Sequence, residues 1–306
     1  MAKVKYRVKN WSQYNEALKD RFRLTLWLSP DVLRSWTGEK TGKRGAPPTY
    51  SAAALLCCLT IRTLLHLPLR GCQGFMESLL SEWLSIPDYT TLCRRAKTLT
   101  MLLPTTVKRG VEVHLVVDAS GLKIYGEGEW KVRTHGKDKR RTWRKIHIGL
   151  DADRQEVLTA CVTGAECGDG EMFPVLWDAL AAPPAKVGGD GAYDTRRNWE
   201  LLGEAGTEGL IPPRRGARIW RGKDAGAAAR NRQLRRIRQG GRKKWKEGSG
   251  YHRRSLAETA FSRLKRIFGE RLRSRVRENQ GTEGLLWVRA LNLMTMLGLP
   301  QSYPVN

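Results

Sequence analysis

YHRRSLAETAFSRLK, residues 251–265, places Tyr251, Arg254, Glu258 and Lys265 at offsets of 0, 3, 7 and 14. Because an α-helix makes one turn in about 3.6 residues, these four side chains are predicted to share one stripe of a helix. A carboxylate beside a phenol, a guanidinium and an ammonium is a poor structural ion pair, since three partners compete for it. The same carboxylate is a good metal ligand next to groups that bind phosphate.

The alternative for this stripe is a surface ion pair between Arg254 and Glu258, which stabilises a helix by about 0.2–0.5 kcal/mol. An apolar arc beside the stripe argues against that alternative. The arc consists of Ala257, Phe261, Leu264 and Phe268. The stripe therefore borders the packed face of the helix, which favours the metal-ligand interpretation of Glu258.

Two further acids follow apolar segments. VEVHLVVDAS is typical of a buried strand that ends at Asp118, and AKVGGDGAYDT predicts a short strand that ends at Asp190. A carboxylate buried without a partner costs several kcal/mol, so Asp118 needs a cation or hydrogen-bond donors. The neighbouring acids are predicted to have structural roles, with Asp151 and Asp153 in a solvated turn and Asp194 as a helix cap.

The order of the predicted elements indicates the fold class. After residue 110 come a meander of three or four strands, then helix, strand, helix, strand, and a later helix that carries Glu258. This is the order of a ribonuclease-H-like fold, a mixed α/β class in which the three distant acids would converge at one edge of the sheet. We predict a catalytic domain over residues 106–306, with a basic insertion at about 212–250.

Residues 1–105 are predicted to form a helical region. Its segment SIPDYTTLCRRAK combines a turn with a short helix that carries Arg94, Arg95 and Lys97. Helix, turn and basic helix is the order of a helix-turn-helix that reads the major groove of DNA. An ordinary helical bundle with a solvated basic face is the alternative.

The charge of the chain indicates a polyanionic partner. The 306 residues carry 55 Lys and Arg against 30 Asp and Glu, a net charge of +25. Nucleic acid is the first candidate. An anionic membrane surface is disfavoured, because no basic amphipathic helix with a broad apolar face is predicted. No stretch approaches the ~20 apolar residues of a membrane span, and the start has no signal-peptide core, so a cytosolic protein is expected.

Two basic runs extend this argument. Residues 131–145 include Arg140, Arg141 and Arg144, and residues 214–246 are more basic still, with tryptophans interleaved in both regions. Lys and Arg along a track, with aromatic side chains for stacking, suit contact with a DNA backbone near an opened end. A solvated charged face is the alternative. The six cysteines lack zinc-site spacing and are predicted to be reduced, mostly buried thiols.

VVDASGLKIYGEGEWKVRTHG, GDGAYDT and the Tyr–Arg–Glu–Lys stripe resemble the motifs of bacterial insertion-sequence DDE transposases, and most closely those of the insertion sequence five family. The resemblance runs from about residue 111 to the C-terminus and extends to SIPDYTTLCRRAK. It implies that Asp118, Asp190 and Glu258 form a metal-binding triad. The interval from Asp190 to Glu258 looks too short for the long β-rich insertion of some relatives.

By the same resemblance, Tyr251, Arg254 and Lys265 match accessory positions of the third motif, and Tyr193 matches an aromatic of the second. The planar fork of Arg254 suits bidentate contact with a phosphate near the scissile bond. Lys265 suits a more distant phosphate as a point charge. Tyr251 suits a hydrogen bond to a phosphate or stacking on an unpaired base.

The expected function is that of a DNA transposase that binds terminal inverted repeats, cleaves the DNA ends and joins the 3′-hydroxyls to target DNA. Two Mg²⁺ ions, for which Mn²⁺ can substitute, are expected on the triad, with Asp118 bridging them. The expected partners are double-stranded DNA and a second copy of the chain in a dimer, in the bacterial cytoplasm at the nucleoid. Two rivals stay open: a ribonuclease-H-like nuclease without strand transfer, and a non-enzymatic DNA-binding protein derived from a transposase.

Overall fold

The computed structural model describes residues 5–38, 49–108, 110–124, 143–222 and 224–305. The chain forms two compact units, of which the first combines residues 1–102 with 289–306 and the second comprises 103–288. The last helix therefore contributes to both units. The sequence instead predicts one boundary near residue 105 and a catalytic domain that continues to the C-terminus.

The first unit is helical and contains one small sheet. Its helices are α1 (Trp11–Asp20), α2 (Leu24–Trp27), α3 (Pro30–Arg34), α4 (Ala52–Leu64), α5 (Leu69–Leu80) and α6 (Tyr89–Ala96). Strand β1 (Lys5–Val8) pairs in antiparallel fashion with β8 (Ser302–Val305). Helix α4 is buried along most of its length, and Ser51 caps it by accepting the N–H of Ala54 at 3.1 Å.

The segment predicted as a turn and a basic helix forms the loop after α5 and helix α6. The side chain of Asp88 starts α6 by accepting the N–H groups of Thr90 at 2.8 Å and Thr91 at 2.9 Å. The order of helix, turn and basic helix is therefore present. Its use as a helix-turn-helix reader of DNA stays a prediction.

The second unit is built on a six-stranded mixed sheet. The strands are β2 (His114–Ile124), β3 (Trp143–Asp151), β4 (Val157–Gly164), β5 (Lys186–Gly188), β6 (Glu208–Leu210) and β7 (Arg271–Leu272). Their order is β4-β3-β2-β5-β6, and β7 also pairs with β2. Strands β2 to β4 form an antiparallel meander, whereas β5 and β6 run parallel to β2. This mixed sheet fits the predicted ribonuclease-H-like arrangement.

Strand β2 is longer than its sequence predicts. The interpretation placed a strand end at Asp118 and a second strand in GLKIYGEGEW, but one strand runs from His114 through Ile124. It continues because β3 pairs with it as far as Lys123, opposite Trp143. Its parallel partner β5 stops at Gly188. Asp118 therefore lies where the parallel pairing ends and not where the strand ends.

Helices cover the sheet and carry two of the predicted site motifs. They are α7 (Phe173–Asp178), α8 (Arg196–Glu204), α9 (Ala225–Ser249), α10 (Ser255–Phe268) and α11 (Arg277–Met296). Short 3₁₀ helices lie at Gly170–Met172, Gly191–Tyr193 and Tyr251–Arg254. The core beneath α7 and α8 contains Leu115, Phe173, Tyr193 and Trp199, all fully buried. The basic insertion predicted at about 212–250 thus contains a 25-residue helix, α9, with a break in its dihedral angles at Gly241.

Helices α8 and α9 approach each other closely through two glycines. A Cβ atom added at Gly226 would lie 2.2 Å from the carbonyl oxygen of Trp199, and one at Gly203 would lie 2.4 Å from the amide nitrogen of Gly226. Real Cβ atoms do not approach other atoms so closely. Glycine at both positions therefore allows the backbones to touch.

The cysteines behave as the sequence predicts. Cys57, Cys58 and Cys72 are buried, the other three are half-buried, and all six are free. Burial raises the pKa of Cys72 to about 11 and that of Cys161 to about 11, so these thiols stay protonated at neutral pH. Among the described helices, none is by itself both long and apolar enough to cross a bilayer; only the sharply bent pair α4 and α5, taken together, meets that criterion, by length and composition alone.

Candidate active site

The parallel pairing of β2 with β5 brings two of the predicted acids together. The last paired residues are Val116 and Gly188, and Asp118 and Asp190 each follow two residues later. A Cβ atom at Gly189 would lie 3.0 Å from the side chain of Val117, so glycine permits this close approach. The charge on Asp190 contributes to a raised pKa of Asp118, as expected for neighbouring carboxylates. The two strands therefore place both acids in one site.

Arg254 links the third acid to this site. Its Nη1 donates to Oδ2 of Asp118 at 3.1 Å, and its Nη2 donates to Oε1 of Glu258 at 2.5 Å. The predicted pair between Arg254 and Glu258 is therefore present, but it is not the simple surface pair of the alternative, because the same guanidinium also binds Asp118. Side-chain exposure rises from 15% at Asp118 through 24% at Arg254 to 58% at Glu258. The site thus opens to solvent on the side of Glu258.

The electrostatics of Asp118 are those of a crowded carboxylate. Burial is the largest cause of its raised pKa, and the charges of Asp190 and Glu258 raise it further. The N–H of Ala119, at 2.9 Å from Oδ1, and the guanidinium of Arg254 lower the pKa but do not offset the rise. The local environment therefore favours a cation beside this carboxylate.

The donor set suits a hard divalent cation. The three acids supply carboxylate oxygens, which are the ligands that Mg²⁺ prefers. Asp118 uses both oxygens, on Ala119 and Arg254, whereas among the described residues Asp190 uses only Oδ1, on the N–H of Ala192 at 2.8 Å. Within the described part of the chain, no three His, Cys, Asp or Glu side chains are arranged as a metal site. The three carboxylates are chemically suitable ligands for Mg²⁺, but the guanidinium of Arg254 lies between Asp118 and Glu258.

Two family models for the transposase DDE domain match this chain. One matches residues 109–295, which contain all three acids, and the other matches residues 19–127. The chain belongs to the DDE transposase family. Membership makes it a metal-dependent enzyme of DNA transposition that cuts DNA and transfers strands. The chain is also similar to a solved structure, a piggyBac transposase synaptic complex with hairpin DNA, with a TM-score of 0.40 and 10% identity over 90% of this chain and 73% of that one.

The helical stripe of the transposase is less regular than its spacing predicts. Tyr251 and Arg254 lie in the 3₁₀ helix Tyr251–Arg254, and α10 begins only at Ser255. The ring of Tyr251 packs on Trp245, with ring centroids 5.4 Å apart. Burial raises the pKa of the Tyr251 hydroxyl, and so do the charges of Asp190 and Asp118. Tyr251 therefore borders the acids, although it does not share a regular α-helix with Glu258.

Lys265 and Tyr193 differ in what they can contact. Lys265 is half-buried on α10 and makes no ion pair with the described acids. Tyr193 is fully buried, and its ring packs edge-on against Phe173 with centroids 6.2 Å apart. The side chain of Tyr193 is therefore not exposed at the surface, and its accessory role stays a prediction. Its buried hydroxyl has no hydrogen-bond partner among the described residues, and Asp118 and Asp190 contribute to its raised pKa.

Two of the neighbouring acids have roles that the sequence did not predict. Asp194 does not cap α8, because Thr195 does so by accepting the N–H of Asn198. Asp194 is instead buried in an ion pair with Arg230 of α9. Asp151 is not solvated but fully buried. It accepts the N–H of Asp153 at 3.0 Å and Nη1 of Arg154 at 3.0 Å, and thereby holds the turn between β3 and β4.

The weaker DNA-binding candidates are in different surroundings. Arg94 and Lys97 are exposed at the end of α6, and Arg95 is half-buried there. Arg144 donates Nε–H to Oε1 of Gln280 at 2.8 Å, so part of its guanidinium is already used within the protein. Arg140 and Arg141 lie outside the described residues.

Helix α9 has an exposed basic face. From the sequence, this region was recognised only as a basic run. Arg232, Arg235 and Arg236 are exposed at helical spacing, while Arg230 on the opposite face is buried. The tryptophans of this run have structural contacts. The guanidinium carbon of Arg230 lies 4.0 Å from the ring centroid of Trp220, and Trp245 donates to Oε1 of Gln233 at 2.9 Å.

Proposed function

We propose that this transposase moves an insertion sequence by binding its terminal inverted repeats, cleaving the DNA ends and joining the exposed 3′-hydroxyls to target DNA. The observation that carries the proposal is that Arg254 bonds both Asp118 of β2 and Glu258 of α10, while the parallel strands β2 and β5 lead to Asp118 and Asp190. The spacing of the third motif supports a place in the insertion sequence five branch and a bacterial source.

Asp118, Asp190 and Glu258 would hold two Mg²⁺ ions, or Mn²⁺ in their place, with Asp118 shared between them. Bound there, the ions would stabilise the entering and leaving oxygens of an in-line phosphoryl transfer. Glu258 is the most exposed of the bonded groups, so its second oxygen is accessible to a ligand. Asp118 is shielded by the sheet and by Arg254, which keeps bulk water from competing for it.

Arg254 would bind the substrate as well as the acids. A guanidinium has five N–H donors, and two of them are used on Asp118 and Glu258. The remaining donors suit a DNA phosphate, for which the planar fork of arginine gives bidentate geometry. Lys265 would add a point charge for a more distant phosphate. Arg254 would thus couple the arrival of the scissile phosphate to the arrangement of the carboxylates.

The DNA backbone would follow the exposed face of α9. Arg232, Arg235 and Arg236 share that face, and Trp245, beyond the break at Gly241, packs on Tyr251. A row of exposed guanidinium groups suits non-specific phosphate contact. Tyr251 would contact a phosphate or an unpaired base. Reading of the inverted repeats would fall to Arg94, Arg95 and Lys97 of the α5–α6 segment, and a dimer would pair the two ends.

The test uses a supercoiled plasmid that carries the genomic segments flanking this reading frame. With Mg²⁺ the wild-type protein is expected to nick the DNA at the segment ends and to join a pre-cut end to target DNA. The Asp118→Asn protein should bind the plasmid but not cut it. Normal cutting by Asp118→Asn would show that the acids are wrongly assigned.

The same assay separates the two rivals. Nicking without any joined product would identify a ribonuclease-H-like nuclease. DNA binding without cleavage in either Mg²⁺ or Mn²⁺ would identify a DNA-binding protein that has lost the activity.

A further inference from the structure

Consecutive arginines of the 3₁₀ helix Tyr251–Arg254 bind two places on the same strand. Nη1 of Arg253 lies 3.2 Å from Nδ1 of His114, and Nη1 of Arg254 lies 3.1 Å from Oδ2 of Asp118. His114 and Asp118 are four residues apart on β2, and alternate residues of a strand share a face. The two arginines therefore attach one short segment to one face of β2 at two points.

Arg253 has a second partner, Asp153, besides His114. Its Nη2 forms an ion pair with Oδ1 of Asp153, in the turn between β3 and β4. That turn is itself fixed, because buried Asp151 accepts the N–H of Asp153. The N–H of Ala152 also donates to the carbonyl oxygen of His114 at 2.9 Å. His114 and Asp153, the two acceptors for Arg253, are therefore connected through the turn between β3 and β4.

The chemistry of His114 makes it an acceptor in this contact. A guanidinium has only donors, so Nδ1 of the imidazole accepts and the ring is neutral. Burial lowers the pKa of His114, and the charges of Arg253 and Lys186 lower it too, while Asp153 and Asp151 raise it. The neutral ring is therefore the form that holds Arg253 at neutral pH.

The 3₁₀ segment packs through its first residue, Tyr251, whose ring lies on Trp245. It is four residues long, follows Gly250 in a left-handed conformation, and contains no buried residue. A cavity of about 320 Å³ also lies beside it, lined by Glu112, His114, Lys186, Ser249 and Arg253 among others. At its Arg253–Arg254 end, the orientation of the segment therefore depends on its polar anchors.

We propose that Arg253 is a positioning residue: by binding His114 and Asp153, it fixes the segment against β2 and sets the orientation of Arg254 beside Asp118 and Glu258. The proposal rests on the proposed function only in that Arg254 acts on the scissile phosphate. Among the described residues, Arg253 bonds His114 and Asp153 and does not bond Asp118, Asp190 or Glu258.

A double-mutant cycle between Arg253→Gln and Arg254→Gln tests this. The measured quantities are the single-turnover rate of plasmid nicking in Mg²⁺ and, separately, the Kd for DNA. Arg253→Gln should slow nicking by roughly 10- to 100-fold, because a misplaced catalytic group costs on that order. The Kd should stay close to that of the wild type. The double variant should be no slower than Arg254→Gln alone, since both changes act on one interaction.

Two further variants test whether the effect is specific to the contacts of Arg253. Asp153→Asn removes the partner of Arg253 at an exposed site and should slow nicking in the same direction. Arg266→Gln removes an exposed arginine of α10 and should leave the rate unchanged. Wild-type nicking by Arg253→Gln, rate losses that multiply in the double variant, or a loss confined to DNA affinity would each overturn the proposal.

A measurement independent of activity keeps this inference separate from the proposed function. Amide hydrogen exchange over residues 250–256 should be faster in Arg253→Gln and Asp153→Asn than in the wild type or Arg266→Gln. If the wild-type protein does not nick DNA, the proposed function fails while this measurement still decides the anchor. Unchanged exchange in both anchor variants would show that Arg253 does not hold the segment.

Discussion

Asp194 and Arg230 form a buried two-point ion pair between the loop after β5 and helix α9. Nε of Arg230 lies 2.9 Å from Oδ1 of Asp194, and Nη2 lies 3.0 Å from Oδ2. Both side chains are only 3% exposed. Nη1 of Arg230 also donates to the carbonyl oxygen of Arg218 at 2.7 Å, and Trp199 donates to Asp194 at 2.9 Å. Each side chain of the ion pair therefore has a further hydrogen bond, which a buried ion pair needs to offset the cost of desolvation.

Asp194→Asn should strongly destabilise the second unit, because it leaves Arg230 buried without a counter-charge. The expected loss is about 3–5 kcal/mol of unfolding free energy. Urea unfolding followed by circular dichroism measures it. Asp178→Asn makes the same chemical change at an exposed position of α7 and should stay within about 0.5 kcal/mol of the wild type. Equal stability of the two variants would show that the pair is not needed for folding.

Asp118→Asn should abolish nicking and raise the thermal midpoint of the protein. The pKa of Asp118 is raised by burial and by Asp190 and Glu258, so between pH 3.8 and that raised pKa the folded protein binds more protons than the unfolded chain. Unfolding free energy therefore falls as pH rises through that window, and the ionised carboxylate costs stability at neutral pH. A neutral amide removes that cost. Scanning calorimetry at pH 7 measures the midpoint, and a lower midpoint than in Asp178→Asn would contradict the expectation.

Acid should destabilise the protein through His147. Burial lowers its pKa, so between that lowered pKa and the ordinary value of 6.5 the folded protein binds fewer protons than the unfolded chain. Unfolding then takes up protons, and the unfolding free energy falls as pH drops through this window. His147→Gln should make the fall shallower by at most about 1.4 kcal/mol per pH unit. The exposed His252→Gln should leave the slope unchanged, and an equal slope in all three proteins would refute the assignment.

Charge removal on α9 should weaken DNA binding in a salt-dependent way. In the triple variant Arg232→Gln, Arg235→Gln, Arg236→Gln, the plot of log K against log salt concentration should become shallower by roughly 0.9 for each lost phosphate contact. Fluorescence anisotropy with a labelled duplex measures the affinity from low to moderate salt. A second triple variant removes the same charge at exposed Lys186, Arg266 and Arg271. If both triple variants give the same slope, the effect belongs to net charge and not to α9.

Most of the strands were predictable because their signals are local, and the assignment of the acids rests on signals of the same kind. The apolar run that ends in Asp118, the short strand before Asp190 and the spacing around Glu258 each fit within a few residues. The predicted end of β2 at Asp118 was wrong, because the end of a strand cannot be inferred from its own sequence where a neighbouring strand supplies the pairing partner. Tyr193 was assigned from its motif, but its burial depends on the core beneath α7.

Helix α9 shows most clearly what the sequence conceals. Its buried face includes Arg230, Asn231 and Gln233 as well as Leu234 and Ile237. Hydrophobic periodicity is the main helix signal, and a buried face that is half polar weakens it. The partner of Arg230 lies 36 residues away, so no local pattern identifies it. The sequence of this run therefore shows only its charge, although most of it is helical on either side of a break at Gly241.

That polar buried face sets the register of α9. An apolar helix face can slide along a sheet by one turn, about 5.4 Å, at little cost, because hydrophobic contact has no direction. The contacts of Arg230 with Asp194, and of Asn231 with both backbone groups of Trp220, have fixed donors and acceptors. A one-turn slip would break all of them at once. The exposed arginines before Gly241 therefore keep fixed positions relative to Asp194 and Trp220.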